Sequence, residues 1–137
     1  MSDKFLQKLA AKVGEKPAIV AVPDDPQDVQ DFGAFGWLQG TRDRAVMLEL
    51  RKANGNILAV GYGWLERAEF DPSEGITLHL VGQKIRIRGR NLNAESRPFV
   101  RLIQGITQHR VAWVQESAPA AAMRAGKGET VIERIEW

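Results

Sequence analysis

The alternation of apolar and polar residues from residue 44 onward predicts a β-sheet that begins with a hairpin. Residues 45–51 form the first strand, and Asn54-Gly55 follows it. This dipeptide favours a type I′ turn, in which both central residues need a positive φ. With the pair at the turn centre, bulky residues face small ones: Leu50 faces Ala59, Leu48 faces Gly61 and Val46 faces Gly63. Gly61 and Gly63 inside the return strand predict a sheet that bends sharply or closes partly.

Residues 76–89 predict a second hairpin, and its two strands agree on which side is buried. It follows a Pro- and Gly-containing turn at residues 71–75. Gly82-Gln83 suits a type II′ turn, which needs glycine first. In that register the buried face pairs Leu80 with Ile85, Leu78 with Ile87 and Ile76 with Gly89. The opposite face pairs Val81 with Lys84, His79 with Arg86 and Thr77 with Arg88.

The helical pattern occurs in two places. Residues 1–16 predict a short amphipathic N-terminal helix. Residues 98–109 predict the main helix, with Ser96 as its N-cap and Pro98 in its first turn. Its predicted core stripe is Phe99, Leu102, Ile103 and Ile106.

These elements predict one α+β domain over residues 1–137. Its sheet is a strongly bent antiparallel sheet or a partly open small β-barrel, covered by the 98–109 helix near the C-terminus. The acidic loop 17–36 follows the N-terminal helix, and residues 37–116 form the β-rich core, ending in a final strand at 111–116. Residues 117–137 are a linker and a tail that adds a strand or docks through Trp137.

Composition excludes several classes of chemistry. The chain has no cysteine, so disulfides, thiolate metal sites and cysteine nucleophiles are excluded. The acidic loop lacks the glycine and the closing glutamate of an EF-hand, and no phosphate-loop or GxSxG motif is present, so no metal or cofactor is predicted. No apolar run is long enough to span a bilayer, and Lys4, Lys8 and Lys12 interrupt any signal peptide. The expected location is the cytoplasm, with no membrane partner.

Charge is concentrated in one segment of a chain whose net charge is only +2. Residues 82–116 carry seven basic and two acidic side chains. Because side chains alternate along a strand, these residues predict one basic face, which we take as the candidate binding surface. Its members are His79, Lys84, Arg86, Arg88 and Arg90, with Arg97 and Arg101 near its end. The alternative is a solvated face neutralised by Glu49, Glu66 and Glu69 on neighbouring strands.

Residues 47–116 resemble a family of small bacterial β-rich domains. The resemblance lies in the segments LAVGYGWLERAEFDPSEGITLHL, IRIRGRNL and QHRVAWVQE. It implies a compact β-rich core followed by one helix, and it implies no activity, cofactor or site residue.

The leading functional prediction is a non-enzymatic binding or assembly module whose basic face contacts an anionic partner protein or its own subunits. Free edge strands would also permit self-association by strand pairing. The first alternative is a small β-barrel that binds nucleic acid, although no aromatic residue interleaves with the arginines to stack on bases. The second alternative is an enzyme with a pocket that combines His79 or His109 with a carboxylate. Four tryptophans, Trp37, Trp64, Trp113 and Trp137, serve either packing or a partner surface.

Overall fold

A computed structural model of the chain describes residues 29–40 and 42–137. Within this part the secondary structure is mostly β, with two short α-helices and a 3-10 turn, Tyr62–Trp64, between β4 and β5. The strands are β1 (Val29–Asp31), β2 (Phe35–Leu38), β3 (Met47–Arg51), β4 (Ile57–Gly61), β5 (Leu65–Asp71), β6 (Gly75–Leu80), β7 (Gln83–Arg90), β8 (Glu95–Arg97), β9 (Val100–Arg101), β10 (Val111–Gln115) and β11 (Val131–Glu136). The helices are α1 (Leu102–Thr107) and α2 (Pro119–Arg124).

The strands form two main sheets and one small ribbon. The first sheet has the order β1-β2-β10-β3-β4, and the second has the order β11-β7-β6-β5. All pairs are antiparallel except β10 with β3, which is parallel. Strands β8 and β9 form the ribbon. Each main sheet runs from one edge strand to another without closing, so the predicted barrel is not confirmed.

One hydrophobic cluster joins the inward sides of both sheets with α1. The first sheet contributes Phe35, Leu48 and Leu50, and the second contributes residues such as Ile87 and Ile132. Leu102 and Ile106 of α1 are also fully buried in this cluster. The burial of these side chains is the main source of stability for a domain of this kind.

The first predicted hairpin exists, but its register is wrong by one residue. Leu50 pairs with Leu58 and Leu48 with Val60. The Lys52 N–H donates to the Asn56 carbonyl, and of the two predicted turn residues only Gly55 has a positive φ, at 97°. The loop therefore holds three residues, which is the length that ends in a left-handed glycine. A one-residue slip exchanges the faces of a strand, so Ala59 lies on the outer face instead of the core face.

The second hairpin is displaced by two residues, which leaves its faces unchanged. Its turn centre is Val81-Gly82, and Gly82 has a φ of 77°, as the second central residue of a type II turn requires. The predicted buried side is therefore confirmed, since five of its apolar side chains are buried. These are Ile76, Leu78, Leu80, Ile85 and Ile87. On the other side, Thr77 pairs with Arg86 and His79 with Lys84.

The predicted helix over residues 98–109 is wrong over its first four and its last two residues. Pro98-Phe99 forms the turn of the β8–β9 ribbon, because Phe99 has a φ of 68°, which an α-helix does not allow. Helix α1 starts only at Leu102, and its N-cap is Arg101 without a side-chain cap, not Ser96. Of the predicted core stripe, Phe99 is 84% exposed.

The C-terminal region is more ordered than a linker and a tail. Helix α2 lies within residues 117–128, and β11 is the last strand, paired with β7. The strand predicted at 111–116 is therefore not the final one. Trp137 docks on its own domain, with the Lys52 ammonium 4.1 Å from its ring centroid.

The N-terminal predictions fall mostly outside the described residues. The helix over residues 1–16 and the loop up to residue 28 lie outside them. The rest of the predicted acidic loop is not a loop, because residues 29–31 and 35–36 belong to β1 and β2.

Candidate functional site

The basic face predicted on β7 has the geometry expected from the alternation of its residues. Ile85 and Ile87 are fully buried, and Lys84, Arg86 and Arg88 point to the other side of the strand. Arg90 continues this row at the end of β7. We call Lys84, Arg86, Arg88 and Arg90 the β7 basic row.

Each arginine of the β7 basic row lies beside a glutamate, and one of these glutamates, Glu136, also pairs with Arg134 at 3.0 Å. Arg86 lies 3.0 Å from Glu74, Arg88 lies 3.4 Å from Glu136 and Arg90 lies 3.1 Å from Glu133, measured between side-chain nitrogen and oxygen. The partners come from the β5–β6 turn and from β11, not from Glu49 or Glu66. Exposed pairs of this kind contribute at most about 1 kcal/mol each, but they lower the local positive charge.

The two outlying arginines do not join this row through any contact in the described ranges. The Arg97 guanidinium lies 5.7 Å from the ring centroid of Phe32. Arg101 donates to the Asn93 carbonyl at 2.7 Å and lies 3.8 Å from Glu95. Both side chains therefore make their contacts around the β8–β9 ribbon.

His79 lies beside the β7 basic row, in a group of basic side chains that spans β5, β6 and β7. Its cross-strand neighbours are Arg67 on β5 and Lys84 on β7. Its Nε2 donates to Glu69 at 2.8 Å, and Arg67 lies 3.5 Å from the same carboxylate. The hydrogen bond from His79 and the charge of Arg67 lower the pKa of Glu69 below its ordinary value. The Glu69 carboxylate thus pairs with two basic side chains, His79 and Arg67.

His109 has a structural environment at the end of α1. It has a φ of 58°, and the N–H groups of His109 and Arg110 donate to Ile106 and Gly105. This is a Schellman motif, with histidine where glycine is usual. The imidazole stacks on Tyr62, with ring centroids 4.4 Å apart. The Tyr62 hydroxyl in turn donates to the Val111 carbonyl at 2.6 Å, and burial raises the pKa of this tyrosine.

Within the described residues, neither histidine belongs to a metal-binding cluster or to one of four surface grooves. This part of the chain contains no cluster of three or more histidine and carboxylate side chains that could hold a metal ion. The surface grooves around Phe32, Trp64, Glu69 and Phe70 are lined by neither His79 nor His109. Among the described helices, none has both the length and the apolar character that crossing a membrane would need.

Strand β4 is an edge strand, and the hydrogen bonds at its two ends determine which of its residues bond to β3. The Lys52 N–H donates to the Asn56 carbonyl, and the Tyr62 N–H donates to the Val46 carbonyl. In an antiparallel pair the hydrogen-bonded residues alternate, so Leu58 and Val60 bond to β3. The backbone groups of Ile57, Ala59 and Gly61 therefore point away from the sheet. No strand in the described residues pairs with this side of β4.

Among the four edge strands of the two main sheets, as far as the structure describes them, β4 is the one without a charged residue. Strand β1 contains Asp31, β5 contains four charged residues and β11 contains three. Strands β5 and β11 are also interrupted by bulges, whereas β4 pairs without interruption. Charged side chains and bulges are the usual protection of a sheet edge against other strands. Strand β4 has neither.

Exposed apolar side chains surround the open edge of β4. Four large ones are Met47 at 47%, Ile57 at 58%, Trp64 at 62% and Val81 at 54% exposure. Three of them line a groove of about 320 Å³ whose other lining residues are Ala59, Val60, Gly61, Leu80 and Gln83. The Val81 N–H donates to the Trp64 carbonyl at 3.0 Å, so the β6–β7 turn holds one wall of the groove in place. We call β4 and this groove the β4 edge site.

The sequence pattern does not predict the β4 edge site, although it contains one signal for it. Residues 57–65 form an uncharged run that ends in Trp64-Leu65. The predicted register places Ala59 and Gly61 on the core face, so the open side of the strand cannot be read from it. The edge position of β4 also depends on β10 pairing with the other side of β3, which is a long-range contact.

No family model, curated protein or solved structure matches the chain. The resemblance of residues 47–116 to small bacterial domains therefore stays a prediction.

Proposed function

We propose that this protein is a small protein-binding and assembly module that takes up an extended partner segment at the β4 edge site. The observation that carries the proposal is that β4 is an uncharged, uninterrupted edge with exposed apolar side chains beside it. The proposal keeps the class of protein predicted from the sequence. It differs in the interaction surface, which is the apolar edge of β4 and not the β7 basic row.

Binding of this kind has two parts. Ile57, Ala59 and Gly61 exchange backbone hydrogen bonds with the incoming strand, which gives affinity with little dependence on sequence. Every second side chain of that strand packs against Met47 and Trp64, which gives specificity. The preferred partner is therefore an extended segment with alternating apolar residues and no charge at its centre.

A selection from a random peptide library against the full chain tests this proposal. We expect enrichment of extended, centrally uncharged peptides that slow amide hydrogen exchange at Ile57, Ala59 and Gly61 and shift the fluorescence of Trp64. The Ala59→Lys variant should lose them, because a lysine is a typical edge-blocking residue. Its cross-strand neighbour is Glu49, so the substitution should leave the fold intact.

The matched control is Ala121→Lys, which places the same side chain on the exposed surface of α2. Peptides that bind both lysine variants equally would contradict the proposal. Enrichment of acidic peptides whose binding is lost in Arg86→Glu would also overturn it, and would assign the function to the β7 basic row. Failure to enrich any peptide would overturn it as well.

A second candidate function is the binding of an acidic protein segment by the group of Arg67, His79 and Lys84. The observation that favours it is that Arg67 and Lys84 are the cross-strand neighbours of His79, and that Arg67 and His79 share one carboxylate, Glu69. Acidic peptides should then bind this group, and Lys84→Glu should abolish the binding. Equal binding by Lys84→Glu and by the unmodified chain would rule out this candidate.

A further inference from the structure

We propose that the occupant of the β4 edge site is a second copy of this chain, paired antiparallel through β4 about a two-fold axis at Ala59. This inference rests on the proposed function, since it names the partner of the same site. Three properties of β4 support it: the direction of its free backbone groups, the sizes of its side chains and its lack of charge.

The phase of the strand permits pairing with itself. A two-fold axis at Ala59 places Ala59 opposite its own copy and Ile57 opposite Gly61 of the partner copy. These are the three residues whose N–H and carbonyl groups point outward. Each facing pair can therefore exchange two hydrogen bonds, as closely spaced antiparallel pairs do. An axis at Leu58 or Val60 would pair only two of these three residues with each other, and the third would face a residue outside β4.

The side chains are complementary in size in this register. On the outer face, the large Ile57 of one copy lies opposite Gly61 of the other. A Cβ on Gly61 would lie 3.0 Å from the Trp64 ring, so the incoming isoleucine meets that ring directly. Two alanines face each other at the axis and allow close approach. On the inner face, Leu58 of each copy lies opposite Val60 of the other, and both already pack against the core.

Charge does not oppose the pairing. No residue of β4 is charged, and the nearest charges on the outer face, Glu49 and Arg51, are paired within one chain at 2.7 Å. A two-fold interface presents the same patch on both sides, so any unpaired charge near the axis would repel its copy. A second copy therefore satisfies the edge without a new charge contact. The product is one continuous sheet formed by the two five-stranded sheets.

Analytical ultracentrifugation of the full chain over a wide concentration range measures the expected dimer. Ala59→Lys should raise the dissociation constant by about tenfold or more, because it places like charges directly opposite each other. Ala121→Lys should leave the constant unchanged. In the unmodified chain, the amide exchange of Ile57, Ala59 and Gly61 should slow as the concentration rises.

Single cysteines test the register, since the chain has no cysteine of its own. Facing residues of a hydrogen-bonded antiparallel pair have Cα atoms about 5.5 Å apart, within the range that a disulfide can bridge. Under mild oxidation Ala59→Cys should form a cross-linked dimer. Ile57→Cys should not, because the two residues 57 lie roughly 13 Å apart along the seam. Equal cross-linking by both variants would refute the two-fold register.

The outcomes separate this inference from the proposed function. A chain that stays monomeric at all concentrations overturns the second copy as occupant, whereas peptides selected at the β4 edge site would still support strand addition. A dimer that Ala59→Lys does not weaken assigns self-association to another surface. Protection of the three amides that does not depend on concentration assigns the edge to another segment of the same chain, and both proposals then fail.

Discussion

The carboxylate of Glu116 accepts a hydrogen bond from the backbone N–H of Ile135 at 2.8 Å, and this contact ties the two sheets together. Its other oxygen accepts from the Ala53 N–H at 2.9 Å, in the loop after β3. The chain crosses from the first sheet to the second at this point, since the Ser117 N–H donates to the Ile132 carbonyl of β11. The Glu116 side chain thus accepts hydrogen bonds from two backbone N–H groups that do not bond to a neighbouring strand.

Replacing Glu116 by glutamine should destabilise the domain. The glutamine amide has one oxygen acceptor, and its NH2 group would face a backbone N–H, so one of the two hydrogen bonds is lost. Hydrogen bonds to charged groups contribute about 1.5–3 kcal/mol, and we expect a loss in this range in urea unfolding. Glu66→Gln is the control, because Glu66 is exposed and forms no ion pair with the described residues. Equal stability of the two variants would contradict the bridging role.

Gly105→Ala should destabilise the domain although alanine is the better helix former. A Cβ on Gly105 would overlap the Trp37 ring and a methyl group of Val111. Overpacking of this kind costs about 1–3 kcal/mol, which exceeds the gain of about 1 kcal/mol in helix propensity. Ala121→Gly on the exposed helix α2 should follow propensity and destabilise slightly. Thermal unfolding measures both. Stabilisation by Gly105→Ala would contradict close packing of α1 against Trp37 and Val111.

Sequence patterns predict the faces of the strands here better than their partners. The buried side of the second hairpin survives a register error of two residues, because side chains repeat with a period of two. The β3–β4 register depends on whether both Asn54 and Gly55 take a positive φ or Gly55 alone does, which the dipeptide does not specify. An error of one residue there hides the open side of β4.

The predictions of the main helix and of the binding surface are incomplete for related reasons. The periodicity of Phe99, Leu102 and Ile106 is real, but a Pro-Phe turn interrupts it, and local conformation overrides the pattern. The arginines of the β7 basic row share a face as predicted. Their glutamate partners come mainly from β11, whose pairing with β7 cannot be deduced from local sequence.

Phe99→Gly should stabilise the domain. Phe99 has a φ of 68° as the second central residue of its turn, a position that favours glycine, and its ring is almost fully exposed. Release of the left-handed strain is expected to contribute about 1 kcal/mol in urea unfolding. Phe99→Ala keeps the strain and should not stabilise. Equal effects of the two substitutions would show that the ring, not the backbone, determines the difference.

Acid should weaken the β5–β6 turn through Asp71. Hydrogen bonds from the Ser73 hydroxyl and the Ser73 N–H lower the pKa of Asp71 below its ordinary value of 3.8. A carboxyl with a depressed pKa in the folded state stabilises the fold above its unfolded pKa and loses this effect as the pH falls through the folded value. The difference in unfolding free energy between the unmodified chain and Asp71→Asn should therefore be constant above about pH 4 and shrink below it. A difference that stays constant down to pH 2 would contradict this assignment.

Nucleic acid should bind weakly at physiological salt, because glutamates already neutralise the arginines of the β7 basic row. Fluorescence anisotropy of labelled single- and double-stranded oligonucleotides, titrated with salt, measures this. Glu133→Gln with Glu136→Gln removes the partners of Arg90 and Arg88 and should increase the affinity. Glu49→Gln with Glu66→Gln makes the same change in net charge on residues that form no ion pair with the arginines of the row in the described part of the chain, and should increase it less. Tight binding by the unmodified chain that is lost in Arg86→Glu with Arg88→Glu would instead make the row a phosphate-binding surface, and the ion pairs would then have to open when the nucleic acid binds.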